Sequence, residues 1–256
     1  MRIGAYQFEV TGNIEENYTH LKKGIEDAGK AGVSLLAFPE CAVTGYPPNC
    51  IRSAADVDFD HADRILDQLQ VLASKHQIFL IVGTIRRDNC RYYNSAVVLR
   101  PDGKKQAYHK RAIWGWDRDN FAEGDDQGIF ETDSFKFGIR ICYEVRFPEY
   151  FRELYRQKTD LNIILFYDAA NKEDHDRLSM IKGHIQTRAV ENVCPILTCN
   201  TCVAYQTAPT VLVDRSGRIL AEVENGKEGL MVYDLKQEPL SFGEMGRKTI
   251  SDALMK

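Results

Sequence analysis

The feature of this sequence that most constrains its fold is the alternation of short apolar runs with longer amphipathic segments. The short runs have the β-branched composition and the Gly, Pro and Asp boundaries of strands, and they span 2–8, 34–38, 78–85, 94–99, 135–142, 161–166, 195–199, 210–213 and 218–223. The longer segments repeat apolar residues every three or four positions, as helices do, and they comprise the segment that opens at Asn13 and the segments 58–75, 148–156 and 177–192. This order predicts an α/β fold with helices covering the sheet faces. Neither a repeat nor a flexible linker interrupts the chain, so we expect one domain over residues 1–256.

Composition excludes several classes of protein. The formal net charge of −4 gives no global attraction for nucleic acid or anionic membranes. No apolar run approaches the roughly 18 residues that a membrane span needs, and the first ten residues read as a strand rather than a signal peptide. Seven cysteines cannot all pair, and a chain of this length does not depend on disulfides for its core. We therefore expect a cytoplasmic protein with reduced thiols.

Three residues whose side chains could take part in catalysis lie next to predicted strands. Glu40 directly follows a buried strand, Lys110 follows a strand and a turn, and Cys142 ends a strand just before a helix begins. Taken singly, each has an ordinary interpretation as a solvated or packing residue. A strand-to-helix elbow, however, is also how some hydrolases present a nucleophile.

Taken together, these segments resemble the nitrilase superfamily of carbon–nitrogen hydrolases. The resemblance rests on FPE at 38–40, YHK at 108–110, ICYEVRFPE at 141–149 and RAVEN at 188–192, followed by Asn200. It covers nearly the whole chain and implies an α/β fold of the four-layer α-β-β-α sandwich type. It also implies a catalytic set of Glu40, Lys110 and Cys142, and association as a homodimer or higher homo-oligomer.

The resemblance also suggests substrate-binding residues, at one of which the chain departs from the family. Where the family commonly has a second glutamate, the best-placed carboxylate here is Asp117, which is one methylene shorter. Tyr143 is expected to offer its backbone N–H to the reacting oxygen. Arg146, four residues after the cysteine, corresponds to an arginine that related amidases use to hold a substrate carboxylate, although a structural role within the elbow is the other interpretation.

The implied chemistry needs only these side chains. An amide carbon is a poor electrophile, so its hydrolysis benefits from a covalent acyl-enzyme, here a thioester on Cys142. Glu40 would act as the general base. Lys110 would stabilise the oxyanion, and its positive charge would favour the thiolate. No cofactor or metal is expected, since the six histidines lack the spacing of zinc ligands.

Several substrates remain open at this level. The elbow is most similar to the ω-amidase-like branch, which releases ammonia from small amides of dicarboxylic acids. The alternatives are an N-carbamoyl amino acid or ureido hydrolase, a nitrilase, and a non-catalytic binding member of the fold. In the preferred interpretation the partners are a small amide and water, with neither nucleic acid nor membrane.

Overall fold

The computed structural model describes residues 1–132 and 135–255, and its strands form two six-stranded sheets. The strands are β1 (Arg2–Gln7), β2 (Leu35–Ala37), β3 (Phe79–Asp88), β4 (Arg91–Leu99), β5 (Lys105–His109), β6 (Ile129–Glu131), β7 (Lys136–Ile141), β8 (Leu161–Leu165), β9 (Ile196–Cys199), β10 (Val211–Val213), β11 (Ile219–Glu222) and β12 (Gly229–Asp234). The helices are α1 (Ile14–Lys30), α2 (Phe59–His76), α3 (Trp116–Asn120), α4 (Pro148–Arg156), α5 (His175–Asn192) and α6 (Phe242–Leu254).

Each sheet has three parallel strands at its centre. The first sheet runs β12-β1-β2-β3-β4-β5 and the second runs β11-β10-β9-β8-β7-β6. In the first sheet β1, β2 and β3 are parallel, whereas β12, β4 and β5 join in antiparallel fashion. In the second sheet β7, β8 and β9 are parallel, and β6, β10 and β11 complete the antiparallel edges. The carboxyl ends of the parallel strands in a sheet meet at one edge, where such folds place their functional side chains.

The two sheets pack face to face between two layers of helices. Alternate residues of a strand point to opposite faces, and both faces are buried here. Leu35 of β2 and Ile163 of β8 belong to the cluster between the sheets. Leu36 packs outward into the cluster beneath α1 and α2, and Ile164 into the cluster beneath α4 and α5. These layers form the expected α-β-β-α sandwich.

Helix caps explain where the helices begin. Asn13 is the predicted N-cap of α1 and accepts from the backbone N–H groups of Glu15 and Glu16. Glu16 does not complete a capping box, because its carboxylate accepts from the hydroxyl of Thr11 instead. Helix α5 begins two residues before the predicted start, because Asp174 caps it by accepting from the backbone N–H of Arg177.

Among the strands and helices given above, five were not predicted: β5, β6, α3, β12 and α6. The last of these follows all of the predicted strands, and two glycines, Gly243 and Gly246, dilute its helical pattern. Its start nonetheless carries a local signal, since Ser241 and Glu244 form a reciprocal capping box. Among the described residues, no helix is long and apolar enough to cross a membrane.

Candidate active site

Glu40 lies at the carboxyl end of β2, buried where the two sheets meet. Its Oε1 accepts from Asn94 Nδ2 at 2.6 Å and from Lys110 Nζ at 3.0 Å. Its Oε2 accepts from the backbone N–H of Tyr167, just beyond β8 in the other sheet, at 2.7 Å. Three donors from the two sheets thus fix the orientation of this carboxylate from both sides of the sandwich, and neither oxygen is free to rotate away.

Lys110 follows β5 and is also buried, with 1% of its side chain exposed. Its Nζ lies 3.0 Å from Glu40 Oε1 and 2.7 Å from Asp117 Oδ2. The other oxygen of Asp117 accepts from the hydroxyl of Tyr46 at 2.6 Å. Both carboxylate oxygens of Asp117 are therefore engaged by the protein, so the side chain that was predicted to bind substrate lies directly on the lysine.

Cys142 directly follows β7 and begins a short 3-10 turn over Cys142–Arg146. Its backbone has φ +47°, a left-handed conformation that costs a non-glycine residue about 1–3 kcal/mol and is concentrated at functional sites. Cys41, next to Glu40, also has a positive φ, of +52°. The expected elbow is therefore present, and the chain turns sharply directly after both Glu40 and the β7 strand.

Electrostatics keep the cysteine protonated and the lysine charged. Burial, followed by the charge of Glu40, raises the pKa of the Cys142 thiol well above its ordinary value, although Lys110 acts in the opposite direction. The charge of Lys110 therefore acts in favour of the thiolate, but desolvation is the larger effect and leaves the pKa of the thiol raised. Burial would lower the pKa of Lys110, but the carboxylates of Glu40 and Asp117 outweigh it and hold this pKa well above the ordinary range. Burial also raises the pKa of Glu40, which makes it a stronger base than an exposed carboxylate.

Glu144 holds the elbow against the lysine loop, a role that the sequence did not reveal. Its Oε2 accepts from the backbone N–H of Ile141 at 2.6 Å, within the second sheet. Its Oε1 accepts from the hydroxyl of Tyr108 at 2.6 Å and from the backbone N–H of Arg111 at 2.8 Å, both in the first sheet. The residues flanking Cys142 and Lys110 are thereby tied to the same carboxylate.

Arg188 supports the elbow from behind. It pairs with Glu191 at 2.8 Å, as its spacing on the helix predicts. Its remaining N–H groups donate to the backbone carbonyls of Val145 and Arg146, at 3.0 and 3.1 Å. The RAVEN segment thus fixes the end of the nucleophile turn.

Arg146 and Tyr143 lie on the turn itself. The guanidinium of Arg146 lies 5.5 Å from the centre of the Tyr143 ring, and its Nη1 is 3.9 Å from Met180 Sδ. Arg146 forms no ion pair with any carboxylate in the described part of the chain, so its charge is available to a ligand. The N–H of Tyr143 falls in the first turn of the 3-10 segment, where helical N–H groups have no partner within the helix.

Other residues of the site have roles that depend on tertiary contacts and that the sequence did not reveal. Asn94 donates to Glu40, and Asn200 fixes the chain beyond β8 by bonding both the N–H and the carbonyl of Asp168. Gly83 in β3 permits close approach of the turn that carries Glu40, since a Cβ there would lie 2.1 Å from the Pro39 carbonyl oxygen. A glycine inside a predicted strand is a signal of such an approach.

No set of three or more His, Cys, Asp or Glu side chains within residues 1–132 and 135–255 is arranged to hold a metal ion. The chemistry that this geometry supports is nucleophilic attack by a thiol, with a buried carboxylate to take its proton and a buried ammonium beside it.

Comparison with known proteins bears on this assignment. The sequence model of the carbon–nitrogen hydrolase family matches residues 2–241. The chain belongs to this family. The resemblance to the nitrilase superfamily is thereby confirmed, and with it the assignment to hydrolases that act on non-peptide C–N bonds.

Curated relatives of the chain are named as amidases. It is 28% identical over 262 residues to a deaminated glutathione amidase of Synechocystis, an alignment that covers 92% of each chain. It is 29% identical over 230 residues to 2-oxoglutaramate amidase of Bacillus subtilis, covering 86% of this chain and 85% of that one.

Solved structures agree on the fold. The chain superposes on a mutant of an amidase of the nitrilase superfamily from Nesterenkonia with a TM-score of 0.82 and 22% sequence identity, over 92% of this chain and 90% of that one. Another structure of the Nesterenkonia amidase shows the acetamide moiety of fluoroacetamide added covalently at its active-site cysteine.

Proposed function

We propose that this protein is an amidase that hydrolyses a small carboxylate-bearing amide through a thioester on Cys142. The observation that carries the proposal is the buried ammonium of Lys110, held between Glu40 and Asp117 and close enough to the Cys142 thiol for its charge to act on it. The relatives named 2-oxoglutaramate amidase and deaminated glutathione amidase support it. 2-Oxoglutaramate is itself an amide with a carboxylate.

In the first half-reaction the Cys142 sulfur attacks the amide carbon while the thiol proton passes to Glu40. The raised pKa of the thiol means that this transfer accompanies attack rather than preceding it. The developing oxyanion accepts from the Lys110 ammonium and from the N–H of Tyr143. The C–N bond then breaks, Glu40 gives its proton to the departing nitrogen, and ammonia leaves a thioester behind.

In the second half-reaction water replaces the amine. Glu40, again a carboxylate, takes a proton from the water as its oxygen attacks the thioester carbon, and Lys110 again faces the oxyanion. The C–S bond breaks, the sulfur recovers a proton from Glu40, and the carboxylic acid product leaves. Lys110 remains an ammonium throughout, because Glu40 and Asp117 hold its pKa well above neutrality.

The proposed role of Arg146 is to hold the substrate carboxylate. It lies on the nucleophile turn, it is only partly buried, and no described acidic side chain neutralises it. A guanidinium can contact a carboxylate through two parallel hydrogen bonds. Arg146→Ala should then reduce kcat/KM for a dicarboxylic acid monoamide far more than for an uncharged amide of equal length; equal losses would make the arginine structural.

The proposed activity is tested by incubating the protein with a panel of amides and measuring ammonia. Cys142→Ala should abolish release, while Cys90→Ala, the same substitution at an exposed thiol, should leave it unchanged. Hydroxylamine should divert the thioester to a hydroxamate. Carbon dioxide released with ammonia from N-carbamoyl substrates would point to the ureido hydrolase instead, and no release from either panel would contradict the proposal.

The homodimer expected from the resemblance stays a prediction. Helix α6 leaves large apolar side chains exposed, with Phe242 at 90% and Leu254 at 78%, and exposed apolar surface of this kind favours association. Sedimentation velocity at micromolar concentration tests the prediction, and a mass of one chain throughout would contradict it.

A further inference from the structure

Asp168 and Arg177 form an ion pair beside the nucleophile that the proposed mechanism does not use. Arg177 Nε lies 2.9 Å from Asp168 Oδ1, and Arg177 Nη2 lies 2.9 Å from Asp168 Oδ2. The hydroxyl of Thr207 also donates to Asp168. Asp168 is nearly buried, with 6% of its side chain exposed, whereas Arg177 is 38% exposed. One partner is thus fixed in the protein, and the other reaches solvent.

The pair lies close to Cys142. Asp168 lies shortly after β8 (Leu161–Leu165), which pairs with β7, the strand that Cys142 directly follows. The charge of Asp168 acts on the Cys142 thiol, and Cys142 in turn acts on Arg177. Because β7 and β8 are parallel neighbours with Ile141 opposite Leu165, Asp168 and Cys142 lie at the same edge of the second sheet.

The geometry of the pair leaves one edge of the guanidinium free. A guanidinium has five N–H donors in one plane and can contact carboxylates along two different edges. Asp168 occupies the edge formed by Nε and Nη2. The edge formed by Nη1 and the outer N–H of Nη2 has no acceptor among the described residues, and the side chain as a whole is 38% exposed.

Arg146 approaches the same helix face. Its Nη1 is 3.9 Å from Met180 Sδ, and Met180 is three residues after Arg177 on α5, which places the two on neighbouring positions of one face. Together, Arg146, Arg177 and Asp168 carry a net charge of +1. One carboxylate on the substrate would neutralise this group.

We propose that Arg177 is a second recognition residue for the substrate carboxylate, binding it through the free guanidinium edge while Asp168 holds the opposite edge. This inference rests on the proposed function and extends its substrate class to acyl groups whose carboxylate spans two arginines. Asp168 sets the direction in which Arg177 points, and so acts as a positioning residue.

Arg177→Lys is the informative variant, because lysine keeps a cation beside the buried Asp168 but has no second planar edge. The measurement is the ratio of kcat/KM for glutaramate to that for pentanamide, which has the same number of carbons and no carboxylate. We expect this ratio to fall by about tenfold to a hundredfold, the range for losing a hydrogen bond to a charged group. Arg215→Lys should leave the ratio unchanged, because Arg215 pairs with Glu244 and follows β10, an antiparallel strand that ends at the sheet edge opposite to Cys142.

A merely structural ion pair would predict a different result. If Arg177 only anchors α5 to the end of β8, Arg177→Lys and Arg177→Gln should lower kcat/KM for both amides equally, and this outcome would overturn the inference. Because both arginines hold one carboxylate, the effects of Arg146→Ala and Arg177→Lys on the ratio should also be less than additive.

A binding measurement keeps this test separate from the proposed activity. Glutarate should protect Cys142 from iodoacetamide, followed at peptide level, and half-protection should need about tenfold to a hundredfold more glutarate in Arg177→Lys. If the wild type hydrolyses no amide but shows this protection and its loss, the proposed function fails and the anion site stands. Equal protection of the wild type and Arg177→Lys, or none of the wild type, would overturn the site.

Discussion

Replacing Glu144 by glutamine tests whether one buried carboxylate aligns the nucleophile with the lysine. Four donors converge on it: the N–H groups of Ile141, Arg111 and Ala112 and the hydroxyl of Tyr108. Glutamine offers one acceptor oxygen in place of two. Whichever way its amide is turned, an NH₂ group then faces a donor, and at least one buried backbone or phenolic donor loses its partner.

The structure sets the size of the effect. A hydrogen bond to a charged group contributes about 1.5–3 kcal/mol, and an unpaired buried donor costs about 1–3 kcal/mol, so Glu144→Gln should lower the free energy of unfolding by about 2–4 kcal/mol. For a chain of this size that corresponds to a fall in Tm of roughly 5–15 °C. A displacement of the catalytic groups of about 1 Å would lower kcat by about a hundredfold. KM should change little, because Glu144 faces the protein.

The assay is thermal unfolding together with steady-state ammonia release from the best amide of the panel. Glu149→Gln, the same substitution at an exposed glutamate in the same motif, controls for the loss of a charge. If Glu144→Gln kept the wild-type kcat, the alignment role would be refuted whatever happened to Tm. A raised KM with unchanged kcat would place Glu144 in substrate binding instead.

The remaining predictions concern the groups around the lysine. Lys110→Met should lower kcat by about a hundredfold to a thousandfold, the cost of removing an oxyanion donor; an effect on KM alone would show that the lysine only binds substrate. Tyr46→Phe removes the 2.6 Å contact to Asp117 and should reduce kcat by about tenfold or more, whereas unchanged kinetics would make that contact dispensable. Burial raises the pKa of Glu40, and the base must be ionised to act. The decline of kcat/KM with decreasing pH should therefore have its midpoint above the ordinary glutamate pKa of about 4.3. A midpoint at the ordinary value would contradict the assignment of Glu40 as the base.

Much of this site could be predicted from the sequence because its three principal residues directly follow strands. Local patterns locate the ends of β2 and β7, although β5 itself was not predicted, and parallel strands bring their carboxyl ends to one edge. The family resemblance then assigned Glu40, Lys110 and Cys142 their roles. The reach of Asp117 could not be judged from spacing. It depends on Gly115, whose φ of +61° turns the chain into α3 and brings the shorter carboxylate to 2.7 Å from Lys110.

The contacts that span the two sheets could not be predicted. When both faces of a strand are buried, its sequence has no polar side, so it does not show which face packs against the other sheet. The bond from the N–H of Tyr167 to Glu40 and that from the hydroxyl of Tyr108 to Glu144 depend on that choice. The Asp168–Arg177 pair could not be predicted either, because its two residues are nine positions apart across a loop and no periodic pattern links them.

These contacts also show why the site lies where it does in the sandwich. Glu40, from the first sheet, accepts from the backbone of the second sheet, and Glu144, from the second sheet, accepts from the backbone and a tyrosine of the first. Both carboxylates are buried, so each needs its full set of donors to offset the loss of water. Those donors are supplied only when the two sheets are correctly placed. The packing that completes the fold is therefore the same packing that brings Cys142 and Lys110 into register, and a change that shifts one sheet against the other should lower activity before it unfolds the protein.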